Sequence, residues 1–147
     1  MVLLAFATAC AGTFFGAAIY INVVEHPARM SCGREIALRE FGPSYARASV
    51  MQAALAILGC LIGLVAAWSR RDVTTAVAAA ALGLVVPFTL IVIFPTNKQL
   101  LAPNLDVQSD NAGALLARWN RLHAVRSILS GIAFALFLYR LGSIGAV

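Results

Sequence analysis

The chain has 147 residues and a formal charge of +5, and it is 61% hydrophobic but only 12% charged, about half the charged share of a typical soluble domain. With a mean hydropathy of +0.87, it has too little charge to cover a globule in water, and lipid is its natural solvent. The basic residues lie between or beside apolar runs, which fits attraction to anionic lipid headgroups. No basic run interleaved with aromatics points to nucleic acid.

The first run, Met1 to Val24, carries no charge. It lacks a basic n-region and is too long for a signal-peptide core, so a retained helix is expected over residues 2–24. Gly12 and Gly16 form a small-xxx-small pair on it. Pro27 is expected to end or deflect this helix. The stretch 25–47 is polar and punctuated by Pro27, Gly33, Gly42 and Pro43, the pattern of a long loop. Within it, Arg34–Arg47 has the mixed charge pattern of an amphipathic surface helix.

A second uncharged run predicts a helix over 48–69, with Gly59 and Gly63 as another small pair. Tyr45 and Gln52 stand near its start. Ser69-Arg70-Arg71-Asp72 is a tight turn, so the helices it joins are antiparallel neighbours. The third helix is expected over 73–95, kinked at Pro87, and a second polar loop follows through Arg118. The last uncharged run, Ser127 to Tyr139, covers only about 20 Å at 1.5 Å per residue, too short for a hydrocarbon core of about 30 Å. The fourth helix is therefore expected over 117–140, carrying His123 and Arg126 into the membrane or its interface.

These elements predict an all-α, multi-pass integral membrane protein: one domain, a four-helix bundle running up-down-up-down. Both polar loops then share one membrane face, and the termini and the Arg70-Arg71 turn share the other. The loop face holds eight Lys and Arg residues against three on the other, which places it in the cytoplasm by the positive-inside rule. The small-residue faces permit a homo-oligomer. Cys10, Cys32 and Cys60 show no C-x-x-C spacing and read as small fillers.

Unusual polar residues gather at helix ends on the loop face. Asn22, Glu25 and His26 lie within one turn of each other. Trp119, His123 and Arg126 stand at i, i+4 and i+7, one helix face, with Asn120 beside it. Asn97 and Tyr45 join them at the ends of the third and second helices. Trp119 and Tyr45 also suit an aromatic belt. Two histidines with Glu25 could hold a metal, or the two could ligate a haem from both sides. Against this, Glu25 and His26 are adjacent and point about 100° apart on a helix, no second carboxylate is near, and no covalent haem motif is present. The expectation is no metal and no cofactor.

Three motifs carry a resemblance: Gly16-Ala17-Ala18-Ile19-Tyr20-Ile21-Asn22-Val23-Val24-Glu25-His26-Pro27-Ala28-Arg29, the step Pro95-Thr96-Asn97, and Arg118-Trp119-Asn120-Arg121-Leu122-His123-Ala124-Val125-Arg126. With these the chain resembles the four-helix membrane family that includes the fungal anthrone oxygenases. The resemblance implies a membrane monooxygenase that oxidises a polycyclic phenolic anthrone to a quinone with O₂. In unrelated enzymes of this chemistry a base removes an acidic proton and the enolate reduces O₂ directly. His123 is the first candidate base and His26 the second, because neutral imidazole titrates near working pH. Arg126 and Asn97 would stabilise the enolate oxygen, Asn22 and Asn120 would orient the ring, and Trp119 and Tyr45 would stack on an apolar aromatic substrate. Glu25 is counted with the binding residues. Two other readings stay open: a non-catalytic bundle that binds a lipid, a hydrophobic small molecule or a partner protein, and a haem or metal protein.

Overall fold

The computed structural model describes residues 1–145, and these contain no β-strand. Among the described residues there are four long helices: α1 (Val2–Ser31), α2 (Arg34–Arg70), α3 (Val73–Leu100) and α4 (Asp110–Gly145). Each is long and apolar enough to cross a membrane, as an integral membrane protein requires. The packing runs in a ring, α1 on α2, α2 on α3, α3 on α4 and α4 back on α1.

The turn between α2 and α3 follows from local chemistry. Arg71 adopts a left-handed conformation (φ 49°) while the Asp72 amide donates to Ala67 and the Arg71 amide to Trp68, the bond pair that closes a helix C-terminus. Asp72 then caps α3 by accepting from the Thr74 amide at 3.2 Å. Arg140 of α4 donates to Asp72 at 2.7 Å and Thr75 Oγ1 donates to it as well. Burial alone would raise the Asp72 carboxyl pKa. The bonds from Thr75 and Arg140, the guanidinium charge and the Thr74 amide together hold it below its ordinary value.

The polar stretch 25–47, expected as a loop with an amphipathic helix over Arg34–Arg47, is helical except at Cys32 and Gly33, and the helix from Arg34 runs on unbroken to Arg70. Gly33 is the real break, at φ 95°, a conformation glycine adopts without strain. Pro27 does not end α1. It follows a π turn over Ile21–Glu25, in which the His26 amide donates to Ile21 five residues back, so the skipped bond falls on a residue with no N–H to give. α3 repeats the device with a π turn at Thr89–Ile93 just before Pro95. Pro87, the expected kink, coincides with an interruption of regular helix at Leu84. Gly42 and Pro43 lie inside α2. Packing overrides them: Ala37 and Phe41 are buried in an apolar cluster with Leu100, Leu115, Leu116 and Trp119. The same cluster starts α4 at residue 110 rather than 117, because Ala112, Leu115 and Leu116 face inward.

A second apolar cluster, with Leu4, Phe14, Ala56, Leu82 and Phe137, fills the bundle toward the termini. Here glycines set the helix spacing. A Cβ on Gly59 would stand 2.6 Å from Leu82 and 2.9 Å from Cys10, and one on Gly63 would stand 2.7 Å from Phe137. Gly12 abuts Phe134 in the same way, but nothing lies near Gly16, so the expected pair on α1 is half used. Gly59→Val is therefore expected to lower stability by about 1–3 kcal/mol through overpacking, with Gly16→Ala close to neutral. Thermal unfolding of both variants in one detergent checks this.

Candidate active site at the loop end of the bundle

The two polar segments meet at one end of the bundle, where Arg34 donates at 2.7 Å to the carbonyls of Gln108 and Ser109. Below that contact, α1, α2 and α4 enclose a small chamber of about 20 Å³, lined among others by Glu25, Phe41, Tyr45, Gln52, Trp119, His123 and Arg126. That is room for about one water molecule.

The chamber has an aromatic wall. Phe41 stacks on Tyr45 with centroids 5.8 Å apart and meets Trp119 edge-on at 5.3 Å. Both imidazoles pack against the Trp119 indole, His123 at 4.8 Å and His26 at 5.8 Å.

A side-chain amide fixes the state of His123. The Asn120 carbonyl can only accept, and Asn22 Nδ2 donates to it at 3.0 Å and to Asn120 Oδ1 at 2.7 Å. Asn22 Oδ1 must then face the other way, where Ser127 donates to it at 2.6 Å and His123 Nδ1 lies 3.0 Å away. A carbonyl oxygen offers no hydrogen, so neutral His123 carries its proton on Nδ1. Its Nε2 keeps the lone pair.

Arg126 is 7% exposed and, among the described residues, no carboxylate pairs with it. It donates to Gln52 Oε1 and lies over the Phe14 ring at 5.4 Å. Glu25 pairs instead with Arg29, four residues on, and accepts from Ser44 at 2.8 Å. Arg29 also faces Glu40 at 2.7 Å. This ionic layer separates the chamber from an outer groove lined by Glu25, Glu40, Pro43, Ser44 and Arg47.

Of the residues singled out in the sequence, Glu25, Tyr45, Trp119, His123 and Arg126 line the chamber. His26 adjoins it through Trp119. Asn22 and Asn120 adjoin it through His123, but their amides are engaged with each other rather than facing an open space. Asn97 is buried with neither amide atom bonded and lies off the chamber. The structure adds Gln52, Ser127, Arg29 and Ser44. Gln52 was visible as a polar residue inside an uncharged run, and Ser127 as the next i+4 step from His123. Arg29 closed the first motif without an assigned role, and Ser44 gave no signal of its own.

Buried polar atoms with neither a hydrogen-bond nor an ion-pair partner belong to His26, Gln52, Thr96, Asn97, Trp119 and Arg126. Among the described residues all of them stand at the loop end, and none is at the end that holds Asp72 and Arg140. Unpaired buried polar groups are costly, and their confinement to one end makes it the candidate site.

The sequence profile of the anthrone oxygenase family matches residues 41–136, a span that includes Gln52, Trp119, His123 and Arg126. The chain is also 32% identical over 128 residues to anthrone oxygenase tpcL of Aspergillus fumigatus, an alignment covering 80% of each chain. No solved structure matches.

The Asn22 network yields a spectroscopic test. Side-chain ¹⁵N shifts of His123 should show a protonated Nδ1 and an unprotonated Nε2 in the neutral ring. Asn22→Ala should abolish that preference and lower stability by about 1–3 kcal/mol, since it strips partners from His123, Ser127 and Asn120. An unprotonated Nδ1 in the native protein would refute the assignment.

Proposed function

The chain belongs to the anthrone oxygenase family, and from that premise we propose that it oxidises an anthrone-like polycyclic phenol with O₂ at the loop end of the bundle, against His123 and Arg126. The observation that carries this reading is one chamber wall holding an oriented imidazole beside a guanidinium with no carboxylate partner. The first suits removal of a proton, and the second suits the negative charge that removal creates.

His123 Nε2 takes one proton from the CH₂ that stands across a ring from the ketone. The electrons move onto the ketone oxygen, which Arg126 stabilises. His123 and Arg126 are i and i+3 neighbours, so their side chains can reach two points across one ring. The enolate gives one electron to O₂, and the resulting carbon radical and superoxide combine to form a C–O bond. The peroxide takes up a proton. Loss of the second C–H proton then breaks the O–O bond and leaves a ketone, with hydroxide departing as water. One oxygen atom enters the product, one leaves in water, and the substrate supplies the electrons for both.

In this reading Asn22 and Asn120 act through His123 by holding its tautomer. Trp119, Phe41 and Tyr45 offer flat apolar surface to the rings, and His26 packs behind Trp119. Asn97 has no assigned part in the step.

Oxygen uptake with a dihydroxyanthrone tests the proposal. His123→Ala should lower kcat by about 10²–10⁴, and Arg126→Met should lower it by at least 10², with helix content unchanged. Full turnover by His123→Ala would remove the base assignment, and no turnover by the native protein would remove the activity.

The charge bias of eight Lys and Arg residues against three supports placing the loop end in the cytoplasm. Exposed Cys32 lies at the α1–α2 break and reports on this. In intact cells it should resist a membrane-impermeant maleimide and react after lysis.

A further inference from the structure

Beside the chamber lies a second space that the reaction above does not use. It is about 130 Å³, lies between α2 and α3, and is walled mainly by apolar groups such as Phe14, Ala56, Val85 and Val86. Tyr45, Ser49, Gln52 and Arg126 line both spaces, so the Gln52–Arg126 hydrogen bond stands on the boundary between them. At its outer side the second space is lined by Ala53 and Leu90, both exposed on the flank of the bundle.

Depth places that flank in lipid. Ala53, Leu90 and His123 are each seventeen residues from the terminal-end markers Arg70, Val73 and Arg140. At 1.5 Å per residue this is about 25 Å, inside a hydrocarbon core of about 30 Å. The opening therefore faces acyl chains rather than water.

The polar end of the space specifies a ligand. Arg126 can only donate, so Gln52 must turn Oε1 toward it, leaving Gln52 Nε2 as a donor. Gln52 is 1% exposed and Nε2 has no partner; Arg126 Nε is a second buried donor without one. Two unsatisfied donors and an unpaired positive charge call for an acceptor oxygen, best an anionic one.

We propose that this space is a lateral binding site, open to the bilayer between α2 and α3, for a flat aromatic that presents a ketone or phenolate oxygen to Arg126 and Gln52. The apolar walls take part of the ring system, and the open mouth lets the remainder lie against lipid. The ligand reaches the inner chamber from the membrane, because the other side is closed by the ionic layer of Glu25, Arg29, Glu40 and Ser44. The proposal deepens the oxygenase reading and rests on it for the ligand class, but binding can be measured without turnover.

The chain has two tryptophans. Trp68 is 88% exposed, so Trp68→Phe leaves Trp119 as the only reporter. In this background, in lipid nanodiscs without O₂, 1,8-dihydroxyanthraquinone should quench Trp119 saturably. Ala53→Phe, which plugs the mouth, should raise Kd roughly tenfold or more, and Leu90→Phe should act in the same direction. Ala54→Phe, equally exposed but off the cavity, should leave Kd within about twofold. Anthracene, which has no oxygen, should bind at least about tenfold more weakly than the quinone.

Equal effects of the Ala53 and Ala54 substitutions, or anthracene binding as tightly as the quinone, would overturn the site. Helix content of each variant is read alongside, and Leu90→Phe decides if Ala53→Phe does not fold. Mouth-dependent binding by a protein that takes up no O₂ with a dihydroxyanthrone keeps the site and removes the oxygenase reading. Turnover indifferent to Ala53→Phe keeps the oxygenase reading and removes the site.

Discussion

A buried guanidinium without a carboxylate beside it sets the terms for this bundle. An isolated buried charge is expensive, and Arg126 has only the Gln52 carbonyl and the Phe14 ring to offset that. Gln52 reaches it from α2, diagonally across the bundle, and Phe14 from the neighbouring α1, so the charge is met by an uncharged acceptor and a ring face. An ion pair would quench the site electrostatically. A neutral acceptor leaves the field of Arg126 available to whatever enters. Glu25, the carboxylate that also lines the chamber, is engaged by Arg29 and Ser44 instead, which keeps its charge from neutralising Arg126 directly.

The same end of the molecule departs from regular helix. The π turns at Ile21–Glu25 and Thr89–Ile93 each stand just before a proline, and a wider turn shifts the side chains that follow it. In α1 the turn contains Asn22 and precedes His26; in α3 it precedes Thr96 and Asn97. Regular helix would give these residues a different angular spacing toward α4. The terminal end needs no such device. There, Asp72, Thr75 and Arg140 satisfy one another, and glycine contacts such as Gly59 on Leu82 draw the helices close.

Much of this was legible in the sequence. Uncharged runs located four helices because hydrocarbon thickness sets a minimum length that few other constraints mimic. The short run Ser127–Tyr139 revealed that α4 had to recruit the Trp119–Arg126 face, and that face forms one wall of the chamber. What misled was local punctuation. Pro27, Gly42 and Pro43 read as loop signals, yet π geometry absorbs the first, and burial of Phe41 against Trp119 holds α2 helical through the other two. Asn97 shows the converse limit. Its type and position matched the candidate cluster, but the direction of a buried side chain depends on helix phase, which a π turn just upstream resets.

The relation between the two spaces follows from these constraints. A chamber of about 20 Å³ is too small for a polycyclic ligand, while the space beside it is larger, mainly apolar and reaches the exposed flank of the bundle at Ala53 and Leu90. The partition between them is one hydrogen bond, Arg126 to Gln52, between side chains that each retain an unmet donor. An arriving acceptor oxygen can satisfy those donors and compete for Arg126 in the same event. The groups that recognise the ligand are thus the groups that separate it from His123. Recognition and access are coupled through Arg126, so a hydrocarbon of the same shape but lacking oxygen would meet a closed partition with unmet donors on its wall.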